Sequence, residues 1–165
     1  MAVSNADMLA LARELPIPVP WDRNVFIDNL ARQRRRPIRL MPSDTSAFTE
    51  GPCGLWLIFD DEDVILYDAG TSDYHIDQIV CHEVGHMVLG HRSHQGSTDK
   101  TPKLELFSKM LPDLDLTTIQ NVLGRKSFAD DQELDAENFA HTLMCASAKA
   151  GAEKSVMRSV FFRSR

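Results

Sequence analysis

Apolar residues recur every three to four positions over most of the chain, and only a short central stretch has the pattern of strands. The helical spacing predicts a first helix from Asn5 to Leu15, with Asn5 as a candidate cap, and a second from about Asp22 to Arg35. Pro16, Pro18 and Pro20 lie between them and exclude a continuous helix, because proline lacks the amide proton that a helix interior needs.

The central stretch predicts three strands. Ile38 to Met41 is the first, and Leu55 to Phe59 and Val64 to Tyr67 are the stronger pair, joined by the acidic turn Asp60–Asp63. A turn this short predicts an antiparallel hairpin. A helix is then predicted from roughly Asp73 to Leu89, with Thr71 or Ser72 as its cap and Gly90 as its stop signal.

The second half of the chain is predicted to be helical after a polar loop over residues 92–103. Short helices are expected at Leu104–Leu111 and Asp115–Leu123, and a long one from a cap at Ser127 to about Lys149. We therefore predict an α+β fold, mostly helical, with about three antiparallel strands beside the Asp73–Leu89 helix. One domain would span residues 1–165, with N-terminal helices in 1–37, a catalytic core in 38–148 and a partly frayed tail in 149–165.

Composition and cysteine content are those of a soluble globular domain with free thiols. The 165 residues suit a single core, and 43% hydrophobic with 25% charged residues is ordinary for a soluble globule. No apolar run reaches the roughly 20 residues that a membrane helix requires. The three cysteines show no paired spacing, so we expect free thiols and a cytoplasmic location.

The formal net charge of -6 does not favour nucleic acid as a partner, so we expect no direct binding to it. The local exception is a run of five arginines, namely Arg32, Arg34, Arg35, Arg36 and Arg39. This run is interpreted as a solvated helix end, where cations also suit the helix dipole, and the alternative is a patch that binds an acidic partner or nucleic acid.

The chemistry-bearing motif is His82-Glu83-Val84-Gly85-His86. Histidines four apart on a helix project from one face, and their neutral nitrogens can bind one Zn²⁺. Glu83 is rotated away from the ligand positions but can reach a water on the metal, take its proton and pass it to the leaving amine. The surrounding residues are apolar, so burying these groups without a metal would be costly.

A catalytic zinc site needs a third protein ligand. His91 lies five residues past His86 and beyond the helix stop, and we interpret both His91 and His94 as surface histidines. The better candidate is Glu133, because it lies in line with the apolar stripe of the last long helix. Asp135 is its rival for the same role.

Three further residues are candidates for supporting roles. Glu137, one turn after Glu133, could accept a hydrogen bond from a ligand histidine. His75 lies two turns before His82 and could line the cleft, although a surface position at the helix start is the simpler interpretation. His141 could face the site from the last helix.

On these residues the chain resembles the ImmA/IrrE family of zinc metallopeptidases. The resemblance covers about Ile38 to Cys145: an apolar hairpin, a helix with the HExxH motif, and a later helix of the form E-x-E-A-N/D-x-F-A, matched here from Glu133 to Ala140. Glu137 stands where the family usually has Asn or Asp. The resemblance implies His82, His86 and Glu133 as zinc ligands and Glu83 as general base.

The resemblance also implies a biological role, since members of that family often cleave or inactivate a repressor. We therefore expect a cytoplasmic zinc endopeptidase that cleaves a repressor-like regulatory protein. The alternative is a non-proteolytic binding module with a zinc site that docks onto a transcription regulator or a toxin–antitoxin partner. Mn²⁺ or Fe²⁺ could occupy the same donors, because two histidines and a carboxylate suit several divalent ions.

Overall fold

The described part of the chain contains four α-helices and four strands with both ends described, besides a helical segment at residues 107–109 and a 3-10 turn. A computed structural model describes residues 3–44, 54–91, 107–109, 111–123 and 128–162. In chain order the elements are α1 (Asn5–Glu14), α2 (Arg23–Arg34), β1 (Ile38–Ser43), β2 (Gly54–Phe59), β3 (Asp63–Asp68), α3 (Asp73–Val88), β4 (Ile119–Leu123) and α4 (Asp130–Phe162). Ser4 rather than Asn5 caps α1, because its side chain accepts the amide hydrogen of Asp7.

The strands form one mixed sheet in the order β1-β3-β2-β4. The predicted hairpin is confirmed, since β2 pairs antiparallel with β3 and Leu55 lies opposite Leu66. Strand β1 pairs parallel with β3 along its whole length. The α+β prediction is confirmed, but the sheet has four strands rather than about three, and it is mixed rather than wholly antiparallel.

The fourth strand corrects the prediction of a helix from Asp115 to Leu123. The Asp115 side chain does accept the amide hydrogen of Thr117, but it caps only a 3-10 turn at Leu116–Thr118. The chain then extends, and β4 pairs antiparallel with the free edge of β2, Trp56 opposite Leu123. Hydrogen bonds to that edge outweigh a weak helical preference, which spacing within one segment cannot reveal.

The predicted end of the last helix at about Lys149 is also wrong, whereas a partly frayed tail over residues 149–165 stays a prediction. Helix α4 continues past Lys149 to Phe162. Gly151 does not interrupt it, and beyond it Lys154 Nζ donates a 2.6 Å hydrogen bond to the carbonyl of Val19.

Several predictions fall on parts of the chain outside the described residues. These are the loop over residues 92–103, the cap at Ser127, His94 and Cys53. Of the helix predicted at Leu104–Leu111, residues 107–109 are described and are helical.

Both faces of the sheet are covered. On one side Trp56 and Ile65 join a cluster with the helices, including Phe26, Val84 and Phe139. On the other, alternate residues of β2 and β3 pack in a second cluster with Phe107, Leu111 and Leu114. Helix α3 therefore lies between the sheet and α4, in the interior of the protein.

The arginine run fixes the corner between α2 and β1. Asp63 is only 1% exposed and pairs with Arg36 at 3.1 Å and Arg34 at 3.6 Å. Arg36 also donates to the carbonyls of Phe59 and Glu62. The interpretation as a purely solvated helix end is therefore wrong for Arg34 and Arg36.

Among the described helices, none has both the length and the hydrophobicity to cross a bilayer.

Candidate metal centre

Helix α3 presents the His82–His86 motif inside the core. Ser72 caps the helix by accepting the amide hydrogen of His75, which confirms one of the two predicted caps. The helix has buried residues on most sides, since its neighbours are the sheet and α4: Ile76, Ile79, Val80, Cys81, Glu83, Val84, Gly85, His86 and Met87. Its interior position explains why the motif is surrounded by apolar residues.

Gly85 allows α3 and α4 to approach closely. A methyl group on Gly85 would lie 3.2 Å from both Cα and the carbonyl oxygen of Ala136, and 3.2 Å from Cδ1 of Phe139. Any larger side chain would therefore push against the backbone of α4. Glu133 lies nearly one turn before Ala136 on that helix, so the same close approach brings its carboxylate to the histidines.

The three predicted ligands come together. Nε2 of His82 lies 3.1 Å from Nε2 of His86. The carboxylate oxygens of Glu133 lie 3.4 Å from Nε2 of His82 and 3.6 Å from Nε2 of His86. These three residues form a group that could hold a metal ion.

The dimensions of this triangle fit a zinc ion. Zn–N and Zn–O bonds of about 2.0–2.1 Å in a tetrahedron place neighbouring ligand atoms about 3.3 Å apart, near all three measured distances. Both Glu133 oxygens are buried and have no hydrogen-bond partner among the described residues. Such carboxylates are costly unless a cation or donor compensates them. The described residues supply no fourth donor to this group.

The three candidate ligands differ in how far their side chains are exposed to solvent. The His86 side chain is 1% exposed, whereas those of His82 and Glu133 are 22% and 12% exposed. His82 is therefore the most exposed member of the triangle, and His86 forms its inner wall.

Glu83 is buried beside this triangle. It is 3% exposed, and its Oε1 would lie 3.0 Å from a methyl group placed on Gly54, at the start of β2. Its Oε2 has no hydrogen-bond partner among the described residues. Burial raises the pKa of Glu83 to about 8. In the metal-free protein the group is therefore protonated at neutral pH, and a nearby cation would favour its ionised form.

The two ligand histidines differ in electrostatic surroundings. Burial, with smaller contributions from His82 and His91, lowers the pKa of His86 to about 3. Burial also lowers the pKa of His82, but the carboxylates around it, first Glu133 and then Glu83 and Glu137, outweigh that effect and raise it. His86 is therefore neutral, as a metal ligand must be, while a metal at His82 would have to compete with the proton that these carboxylates favour there.

Two residues near the site were missed from the sequence. His91 is 9% exposed rather than on the surface, and its Nδ1 lies 2.9 Å from Nδ1 of His86. Phe128 stacks on the His86 ring with centroids 3.7 Å apart and planes 10° from parallel. In the sequence, His91 is distinguished only by following the helix-stop residue Gly90. No sequence pattern indicates that Phe128 lies near the site.

The remaining candidates lie elsewhere or play other roles. Asp135, the rival of Glu133, is not part of the group of possible ligands. Its buried carboxylate instead accepts the amide hydrogen of Val3. Glu137 is exposed and acts electrostatically on His82. His75 contacts Gln78, and His141 contacts Cys145 in a separate groove between α1 and α4 of about 810 Å³.

Comparisons with models of protein families, with curated proteins and with solved structures found no match for this chain.

Proposed function

We propose that this protein is a zinc-dependent endopeptidase of the ImmA/IrrE type. The observation that carries the proposal is the meeting of Glu133 from α4 with the paired imidazoles of α3. A helix that merely happened to contain an HExxH pattern would have no reason to face a buried carboxylate without hydrogen-bond partners. The resemblance of the α3 and α4 sequences to that family is the second support.

His82, His86 and Glu133 would hold the ion, and a further position would be open to solvent or substrate as far as the described residues go. Zn²⁺ bound by such donors supplies Lewis-acid chemistry, because it polarises a carbonyl group and makes water more acidic. The alternative ions Mn²⁺ and Fe²⁺ accept the same donors. Zinc is favoured because two histidines and one glutamate are a donor set typical of catalytic zinc sites.

Glu83 is proposed as the proton carrier. Its carboxylate lies beside the ligand triangle but is not part of it, as a general base must be. Once a cation makes it anionic, it can accept a proton from the attacking water. It then donates that proton to the nitrogen of the departing amine, so that water is divided between the two new chain ends.

The substrate proposed is a repressor-like regulatory protein, as the family resemblance implies. The protein would act in the cytoplasm, where such a regulator is found. The described cysteines agree with a reducing compartment, since Cys81 and Cys145 are both free thiols.

The test compares the zinc-loaded wild-type protein with Glu83→Gln and Glu133→Gln. Each is incubated with a bacterial lysate, and new protein N-termini are identified by chemical labelling and mass spectrometry. Glu83→Gln should bind zinc as the wild type does and lose cleavage by about 10²–10⁴-fold, because only the proton carrier is removed. Glu133→Gln should weaken zinc binding by more than the roughly 10–100-fold typical of groups that only support a ligand.

Glu153→Gln is the matched control, because it makes the same chemical change at an exposed position of α4. It should alter neither property. If Glu83→Gln released the same fragments as the wild type, the cleavage would not come from this site. If the wild type bound zinc tightly but released no fragments beyond those of Glu83→Gln, the non-proteolytic docking module would be the better description.

A further inference from the structure

The chain reverses direction immediately after the ligand helix, and this turn places His91 against His86. Gly90 has a φ of 67°, in the left-handed region that glycine adopts readily. The amide of His91 then donates a 3.0 Å hydrogen bond back to the carbonyl of His86. This pattern ends many helices, and here it also returns the His91 side chain to the interior.

Both ring nitrogens of His86 face another histidine nitrogen. Nδ1 lies 2.9 Å from Nδ1 of His91, and Nε2 lies 3.1 Å from Nε2 of His82. A neutral imidazole carries a single proton, so His86 can donate in only one of these two directions. If the proton is on Nε2, that nitrogen has no lone pair for a metal. If it is on Nδ1, the lone pair of Nε2 faces the ligand triangle.

We propose that His91 is a positioning residue. Its Nδ1 accepts a hydrogen bond from the Nδ1–H of His86 and so holds His86 in the tautomer that binds metal through Nε2. The inference rests on the proposed metal centre. In metal sites the second nitrogen of a ligand histidine usually donates to a carboxylate, a carbonyl or water, which fixes the ring and its tautomer. A neutral histidine with a free Nδ1 lone pair can serve the same purpose.

The surroundings of the pair support a fixed hydrogen bond between the two rings. If Nδ1 of His91 accepts, the proton of that ring is on Nε2. Phe128 stacks flat on His86 and limits its rotation, so a hydrogen bond in the ring plane at Nδ1 completes its orientation.

The test measures zinc affinity at pH 7.5 by competition with a chromophoric chelator. His91→Phe keeps an aromatic ring and removes the acceptor, whereas His91→Asn retains an acceptor oxygen near the position of Nδ1. His91→Phe should weaken zinc binding by about 10–100-fold, the range for partners of ligand histidines. His91→Asn should restore most of that loss. His75→Phe is the control, because His75 lies on α3 and contacts Gln78.

Circular dichroism melting of each metal-free variant verifies that it is folded. Equal zinc affinity of His91→Phe and the wild type would overturn the proposal, as would an Nδ1–H tautomer of His91 in the long-range ¹H–¹⁵N spectrum of the zinc-loaded protein. Failure of the peptidase proposal has a different signature, because a protein that binds zinc without cleaving anything would still show the loss in His91→Phe. A wild-type chain that binds no zinc would overturn both.

Discussion

The contact between Gly85 and α4 can be tested by a single methyl group. Replacing glycine by alanine inside a helix ordinarily stabilises it by about 1 kcal/mol, because alanine loses less backbone entropy. At Gly85 the added methyl would meet three atoms of Ala136 and Phe139 at 3.2 Å. Two of these are backbone atoms that cannot rotate away, so the helices must separate by a few tenths of an ångström.

The magnitude follows from setting these effects against each other. Inserting a methyl group into a packed core costs about 1–3 kcal/mol. This cost equals or exceeds the gain of about 1 kcal/mol from helix propensity. Gly85→Ala should therefore leave the free energy of unfolding unchanged or lower it by up to about 2 kcal/mol. Because Glu133 moves with α4, its oxygens should also move away from the histidines, and zinc affinity should fall.

Gly151 offers the matched control within the same protein. It is also inside a helix, but a methyl group there would have nothing within 4 Å. Gly151→Ala should show the propensity term alone and raise the free energy of unfolding by about 0.5–1 kcal/mol. The difference between the two variants is then the packing cost at Gly85, about 1–3 kcal/mol.

The assay is urea denaturation of both variants with a chelator present, followed by zinc titration of the folded proteins. If Gly85→Ala stabilised the protein as much as Gly151→Ala and kept full zinc affinity, the interface would have room for the methyl group. The close approach of α3 and α4 would then not be what positions Glu133.

Two further predictions concern stability. Without metal, burial raises the Glu83 pKa from 4.5 to about 8 and lowers the His86 pKa from 6.5 to about 3. The stability from neutral Glu83 is then lost as pH rises from about 4.5 to 8, and that from neutral His86 as pH falls from about 6.5 to 3. The free energy of unfolding in chelator should be highest between about pH 4.5 and 6.5, and a maximum at pH 8 or above would contradict these shifts. Separately, Asp63→Ala leaves Arg34 and Arg36 without their buried partner and should cost about 3 kcal/mol in urea denaturation, toward the lower end for buried pairs because the arginines are partly exposed. Glu62→Ala, which breaks the more exposed pair with Arg39, should cost below about 1 kcal/mol, and equal losses would show that burial of Asp63 is not decisive.

The parts of the fold that could be predicted from sequence are those with local signals. Helix α3 has a side-chain cap at Ser72, apolar positions at helical spacing and a left-handed glycine at its end. The β2–β3 hairpin has two short apolar runs, which are buried, and a short acidic turn between them. Glu133 could be proposed because a carboxylate aligned with an apolar stripe predicts a buried cation. Each of these signals lies within a single segment of the chain.

The parts that could not be predicted depend on contacts between distant segments. Strand β4 exists because β2 has a free edge, and the Ile119–Leu123 segment alone does not show it. His91 lies one residue beyond the stop signal at Gly90, so helical geometry gives it no direction. Only the left-handed turn at Gly90 returns the ring to His86. Phe128 reaches the same ring from a segment with no distinguishing spacing.

Without a metal, the buried carboxylates of this site would destabilise the core. Their presence therefore supports a metal-binding role for the site. Around α3 the protein buries two glutamates, Glu133 from α4 and Glu83 beside β2, with three of their four oxygens lacking hydrogen-bond partners among the described residues. Each such group costs on the order of 1–3 kcal/mol, and an apolar side chain of similar size would remove that cost. A divalent ion at the triangle offsets the cost at Glu133 directly and favours the anionic form of Glu83. Because its ligands come from two helices, the ion would also join α3 to α4, so that binding and folding are coupled. A structural ion would require only the ligands, so the buried Glu83 beside them supports the proposed role as a proton carrier.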